Sequence, residues 1–138
     1  MIVLAAAERG AIARHVAAGY PDEACGLLLG EGAANGAVVI RQVVPSDNLA
    51  DDPRHSFEVD PALRLRLQRQ SRDGGDRLIG HYHSHPDGPA RPSARDAGRI
   101  YEPELLWLIA AVRADGLAEL AAFMPAAGGG FTELTLGD

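Results

Sequence analysis

Three histidines alternate in His81-Tyr82-His83-Ser84-His85, and Pro86 follows at once. Imidazole is a common ligand for transition metals, and residues two apart on a strand point to the same face. Three rings on one face suggest a three-histidine site, but the reach is wrong. At about 3.3 Å per residue, His81 and His85 stand about 13 Å apart, whereas metal–nitrogen bonds are only about 2.1 Å long. An adjacent pair can share one ion. Pro86 closes the strand and Pro92-Ser93 opens a helix, so Asp96 falls one turn in. The connection 86–95 can return that carboxylate to the later pair. His83, His85 and Asp96 would leave a fourth position for water, the arrangement of a catalytic zinc rather than a closed structural one. His81 is left out. A plainer reading uses the same residues: Ser93-Ala94-Arg95-Asp96 also fits a helix N-terminus, with Ser as cap and an acid three residues on. A lone His-x-His pair is common on strands without any metal.

The rest of the composition narrows the chemistry. A single cysteine, Cys25, excludes both a disulfide scaffold and a zinc site built on several thiolates, so imidazole and carboxylate must hold any transition metal. Cys25 opens an apolar run and reads as a buried thiol rather than a nucleophile. Nineteen acidic against thirteen basic residues give a net charge of −6, which argues against a nucleic-acid backbone as the main partner. Every basic residue is arginine, which fits a coding bias more than a chemical need. No apolar run is long enough to span a bilayer and no basic leader precedes Ile2-Val3-Leu4, so the expectation is a soluble, cytoplasmic protein with no membrane partner. At 138 residues the chain predicts one domain, residues 1–138, able to bury a core without staples.

These residues need a scaffold. Ala5 to Gly19 reads as a helix stopped by Gly-Tyr-Pro, Cys25 to Leu29 as a buried strand, and Glu31–Gly36 as a Gly-rich turn. Ala37 to Val44 is β-branched and reads as a strand, Pro45 to Arg54 as a surface loop, and Phe57 with Val59 as a short strand. Asp60-Pro61 starts a helix through Leu63 and Leu67 to about Arg72. Arg77 to His83 is a strand and Ser93 to about Tyr101 a helix. Leu105 to Val112 is the expected central strand, followed by strands at Leu117–Phe123 and Phe131–Leu136. The fold class is α/β, a single mixed β-sheet flanked by helices.

His83-Ser84-His85-Pro86, then six residues, then Ser93 and Asp96, resembles the signature of the JAMM metalloproteases, the MPN-plus or Mov34/PAD-1 family. Pro21-Asp22-Glu23-Ala24-Cys25-Gly26 upstream resembles the family's first strand with its acidic residue, and Gly80-His81-Tyr82 is also similar to family members. The likeness spans nearly the whole chain and implies the JAMM/MPN, cytidine deaminase-like, architecture. It implies one Zn2+ per chain on His83, His85 and Asp96, with Glu23 as general acid/base and Ser93 as hydrogen-bond donor to the oxyanion. Glu23 and Ser93 would otherwise read as a solvated loop acid and a helix cap. Compact bacterial members resemble processors of ubiquitin-like sulfur-carrier proteins, cut after the C-terminal Gly-Gly; that tail could lie as a strand along an exposed sheet edge. Arg91, Arg95 and Arg99 could form a basic strip for substrate or simply a solvated helix face. Two other readings remain: a metal-free MPN scaffold, which predicts a missing ligand, and a RadC-like, DNA-repair-associated protein, which the charge disfavours. The motif names neither the carrier nor the number of subunits.

Overall fold

The computed structural model describes residues 1–32 and 36–138. Its eight strands form one mixed sheet in the order β7-β6-β5-β4-β2-β3-β1-β8. The central strands are β2 (Cys25–Gly32), β4 (Arg77–Pro86) and β5 (Leu106–Arg113). β4 runs antiparallel to β2 and parallel to β5. β5 is buried at every position but its last, as its unbroken apolar run predicts. β3 (Val38–Ser46) runs two residues beyond the expected end and includes Pro45. Since β1 (Ile2–Leu4) pairs only with Val38–Ile40, β3 is an edge on that side at Pro45, where proline is tolerated. The Gly-rich turn expected at Glu31–Gly36 includes residues 33–35, outside the described residues.

The chain end departs most from expectation. The strand predicted over Phe131–Leu136 is two: β7 (Phe131–Leu134) pairs with β6 (Gly116–Pro125), and β8 (Leu136–Gly137) pairs with β1. Only Thr135 separates them, so the chain links the two ends of the strand order directly and the sheet curls. Helix α1 (Ala6–Gly19) fills the curl, burying Ile12 and Val16 against Leu28, Tyr82, Leu106, Leu108 and Ala110. Each such side chain contributes about 1.5–3 kcal/mol of transfer free energy. β1 itself is three residues long, too short for periodicity to announce.

The opposite face carries α2 (Pro61–Arg72), which begins where the sequence predicts: Asp60 accepts a hydrogen bond from Ala62 N–H at 2.9 Å. Leu63 and Leu67 pack on Leu27, Leu29 and Leu78. No described helix is long and apolar enough to cross a membrane. The third helix, expected to reach about Tyr101, is one turn, α3 (Ala94–Ala97), capped by Gly98. Glycine disfavours helix, and Arg99 instead reaches the Phe57 carbonyl at 3.1 Å. Phe57 and Val59 make only a single bridge, Asn48 to Val59, rather than a strand.

Candidate metal centre

Alternation along β4 divides its residues between the two faces. Tyr82 enters the α1 core, while His81, His83 and His85 face the side that α2 covers. β4 extends beyond the predicted end at His83 because β5 continues to pair with it through His85 and Pro86. β2 begins opposite His83, at Cys25, so the β2 side of the strand end stays open to the segment carrying Glu23. Asp87 then turns the chain at φ 58°, a left-handed conformation that aspartate tolerates. Its N–H donates to Val112 O at 2.8 Å, and the connection returns to α3.

His83, His85 and Asp96 converge. His83 Nε2 lies 3.1 Å from His85 Nε2 and 3.3 Å from Asp96 Oδ1, and His85 Nε2 lies 3.2 Å from Asp96 Oδ2. Three ligands on a tetrahedral ion with bonds of 2.0–2.1 Å stand about 3.3 Å apart. The donor set therefore fits a metal site in both chemistry and spacing. Supporting bonds fix two of the three. His85 Nδ1 bonds the Pro89 carbonyl at 2.9 Å, which places the proton there and leaves the Nε2 lone pair facing the cluster. Ser93 N–H donates to Asp96 Oδ2 at 2.8 Å, half of a capping box whose other half is Asp96 N–H to Ser93 Oγ at 3.1 Å. The third, His83, is fully buried and holds no bond at Nδ1. Phe57 stacks on its ring at 4.2 Å and 17°. Packing rather than hydrogen bonding orients this histidine. Phe57 does not stand out in the sequence, where its only cue is its alternation with Val59.

Electrostatics follow burial. Burial works against a charged Asp96, yet the close His83 and His85 rings, with the bond from Ser93 N–H, hold its carboxyl well below the usual range. Burial pushes His83 down; at His85 burial is outweighed by Asp96 and the Pro89 carbonyl, and the ring sits above its ordinary value. Glu23, partly buried, is pushed up to about 7 by desolvation, with His85 pulling down and Asp96 pushing up. Cys25 is buried, raised to about 12 chiefly by desolvation, with its thiol on Asp47 O at 3.8 Å. These surroundings match the buried thiol expected from the sequence.

His81 stays outside the cluster, its ring 6.3 Å from that of His83 and edge-on to Trp107 at 4.5 Å. It lines a cleft of about 700 Å3 together with Phe57, Arg64, Arg99, Tyr101 and Trp107. His81 and Phe57 thus stand between the cleft and the cluster. Two of the arginines left open in the sequence as a substrate strip or a solvated face serve the fold: Arg95 bonds the His55 carbonyl and Arg99 the Phe57 carbonyl, stapling the loop over the histidines. His15 bonds the Tyr82 hydroxyl at 2.6 Å, and His55 meets Asp52 at 3.1 Å on the surface.

Comparisons with known proteins agree with this geometry. A family model described as prokaryotic homologs of the JAB domain matches residues 5–123. A desampylase from Haloferax volcanii is 34% identical over 110 residues, covering 77% of each chain. The CysO-cysteine peptidase of Mycobacterium tuberculosis is 27% identical over 123 residues, 89% of this chain and 82% of that one. A solved structure from Desulfitobacterium hafniense superposes with a TM-score of 0.84 at 31% identity, covering 99% of this chain and 91% of the other. Another, from Salinibacter ruber, gives 0.75 at 26% identity over 99% and 90%. Fold, cluster and sequence agree, and the chain belongs to the prokaryotic JAB-domain family.

Proposed function

We propose that the chain is a zinc-dependent peptidase that hydrolyses the bond after the C-terminal Gly-Gly of a ubiquitin-like sulfur-carrier protein. The convergence of His83, His85 and Asp96, whose ligand atoms lie within 4.8 Å of one another, carries this reading. The similar proteins named desampylase and CysO-cysteine peptidase support the substrate class, as does a probable TtuB-protein conjugate cleaving protease of Thermus thermophilus, 33% identical over 82 residues. The chain spans about half the length of that last relative.

Zinc held by His83, His85 and Asp96 would bring a water's pKa toward about 7 and polarise a substrate carbonyl. Glu23, with its own pKa near 7, can take a proton at neutral pH and deliver it to the leaving amine. Ser93 Oγ uses a lone pair to cap α3, which leaves its O–H proton free to donate to a developing oxyanion. Cap and catalytic donor are therefore compatible roles, where the sequence had set them against each other. Beside the sheet-edge docking expected from the sequence, the structure offers a second approach for the tail. β4 lies three strands from one end of the order and four from the other. The cleft between α2 and Trp107 reaches the cluster's flank at His81 and Phe57, and we assign the tail's approach to it.

The test measures bound metal, then incubates the protein with a Gly-Gly-terminated carrier bearing a C-terminal cysteine. We expect zinc near one per chain and release of cysteine. Glu23→Gln should cut release to a small residual rate with zinc retained, and Asp96→Ala should lose both. A folded protein that takes up no zinc at micromolar concentration overturns the reading in favour of a scaffold.

A further inference from the structure

The segment after β3, expected to be a plain surface loop, is organised around one side chain. Asn48 Nδ2 donates to the Glu23 carbonyl and to the Ser56 carbonyl, both at 2.9 Å, with Pro53 O at 3.4 Å. Asn48 Oδ1 accepts from Ala50 N–H at 3.1 Å and from Glu58 N–H at 2.9 Å. A carboxamide has two donor hydrogens and two acceptor lone pairs. All of them are used here, and no replacement side chain of that length offers the same set.

Its partners lie at the two places that matter for the proposed chemistry. Glu23 precedes β2, so no sheet ladder fixes its backbone. Its N–H donates to Pro53 O at 2.7 Å and its carbonyl accepts from Asn48, so both main-chain groups end on this loop. From the other side, Ser84, between the two cluster histidines, holds the next residue: Ala24 N–H donates to Ser84 Oγ at 2.8 Å, and Ser84 N–H to Ala24 O at 2.9 Å. Meanwhile Ser56 O and Glu58 N–H flank Phe57, the ring stacked on His83. One amide thus ties the backbone of Glu23 to the residue that packs on the metal cluster.

We propose that Asn48 is a positioning residue for the hydrolysis. It acts through Glu23, setting the carboxylate against the His83–His85–Asp96 cluster and locking that setting to the Phe57 loop. The inference rests on the acid/base reading of Glu23. A displacement of about 1 Å in a reacting group costs about 10²-fold in rate.

The experiment is a double-mutant cycle on zinc-loaded protein with the Gly-Gly–cysteine carrier as probe. Asn48→Ala and the near-isosteric Asn48→Asp, which keeps acceptors but loses both donors, are each made alone and with Glu23→Gln. Single-turnover rates with excess enzyme reach the slow variants. Each Asn48 variant alone should lower kcat about 100-fold, change KM less than about threefold, and keep zinc near one per chain. In the Glu23→Gln background the same changes should lower the residual rate less than about threefold, because the group they position is already gone. An equal loss in both backgrounds, or zinc falling in step with rate, makes Asn48 a general scaffold residue and overturns the proposal. If Asn48→Ala does not fold, the Asp variant decides alone. Failure of the parent reading looks different: Glu23→Gln would then cleave as fast as the unaltered protein.

Discussion

Glu23→Gln should make the protein both far less active and more stable, and the second effect should depend on pH. Partial burial raises the folded-state pKa of Glu23 from the usual 4.5 to about 7, mainly by desolvation. Below pH 4.5 the carboxyl is protonated whether the chain is folded or not, and it imposes no penalty. Between 4.5 and about 7 the unfolded chain has released a proton that the folded chain still holds, so stability falls as pH rises. Above about 7 the charged, desolvated carboxylate carries the full cost. Taken at face value the shift is worth about 3 kcal/mol, at about 1.4 kcal/mol per pH unit. Solvent reaches this side chain, and screening reduces the figure to about 1–2 kcal/mol. For a domain of this size that corresponds to a gain of about 3–8 °C in Tm for the Gln variant at pH 8, shrinking to nothing near pH 4.5. The assay is thermal unfolding of metal-free protein across pH 4.5–8, since a nearby cation would stabilise the carboxylate. A Tm difference that is flat with pH, or a Gln variant less stable at pH 8, would refute the burial argument.

Two further outcomes follow from the same geometry. Ser93→Ala removes the acceptor for Asp96 N–H and the proposed oxyanion donor; it should cost about 1 kcal/mol of stability but lower kcat about 10²–10³-fold, and an unchanged kcat in steady-state assays would leave Ser93 as a cap alone. Gly26→Ala places a Cβ inside the Tyr82 ring, whose hydroxyl is held by His15. The resulting overpacking should lower stability by about 1–3 kcal/mol in a denaturant titration, with zinc stoichiometry unchanged, because His83 and His85 stand on the opposite face.

Local chemistry was legible wherever a residue's role depends on its neighbours in sequence. The Asp60-Pro61 start of α2, the buried run of β5 and the selection of the later histidine pair all follow from spacing and reach, and the structure has them so. The helix after Ser93 was overdrawn, because its capping box is strong but Gly98 and the tether from Arg99 to Phe57 O end it after one turn. The loop 47–58 was undervalued for the opposite reason. Its order comes from Asn48 bonding carbonyls up to 25 residues away, which no local pattern encodes.

The sequence by itself singled out the candidate donor set: one cysteine excluded thiolate zinc, five histidines supplied the alternative, and His-x-His with a carboxylate after a ten-residue connection was the combination with reach. Tertiary structure decided what surrounds those donors. Phe57 packs on His83, Ser84 and Asn48 hold the chain on either side of Glu23, and a cleft lined by His81 and Phe57 lies beside them. The division has a physical cause. Ligand reach along a strand and a short connection is fixed by bond lengths over a dozen residues, whereas burial, stacking and the pKa of Glu23 depend on segments brought together only when the sheet closes around α1.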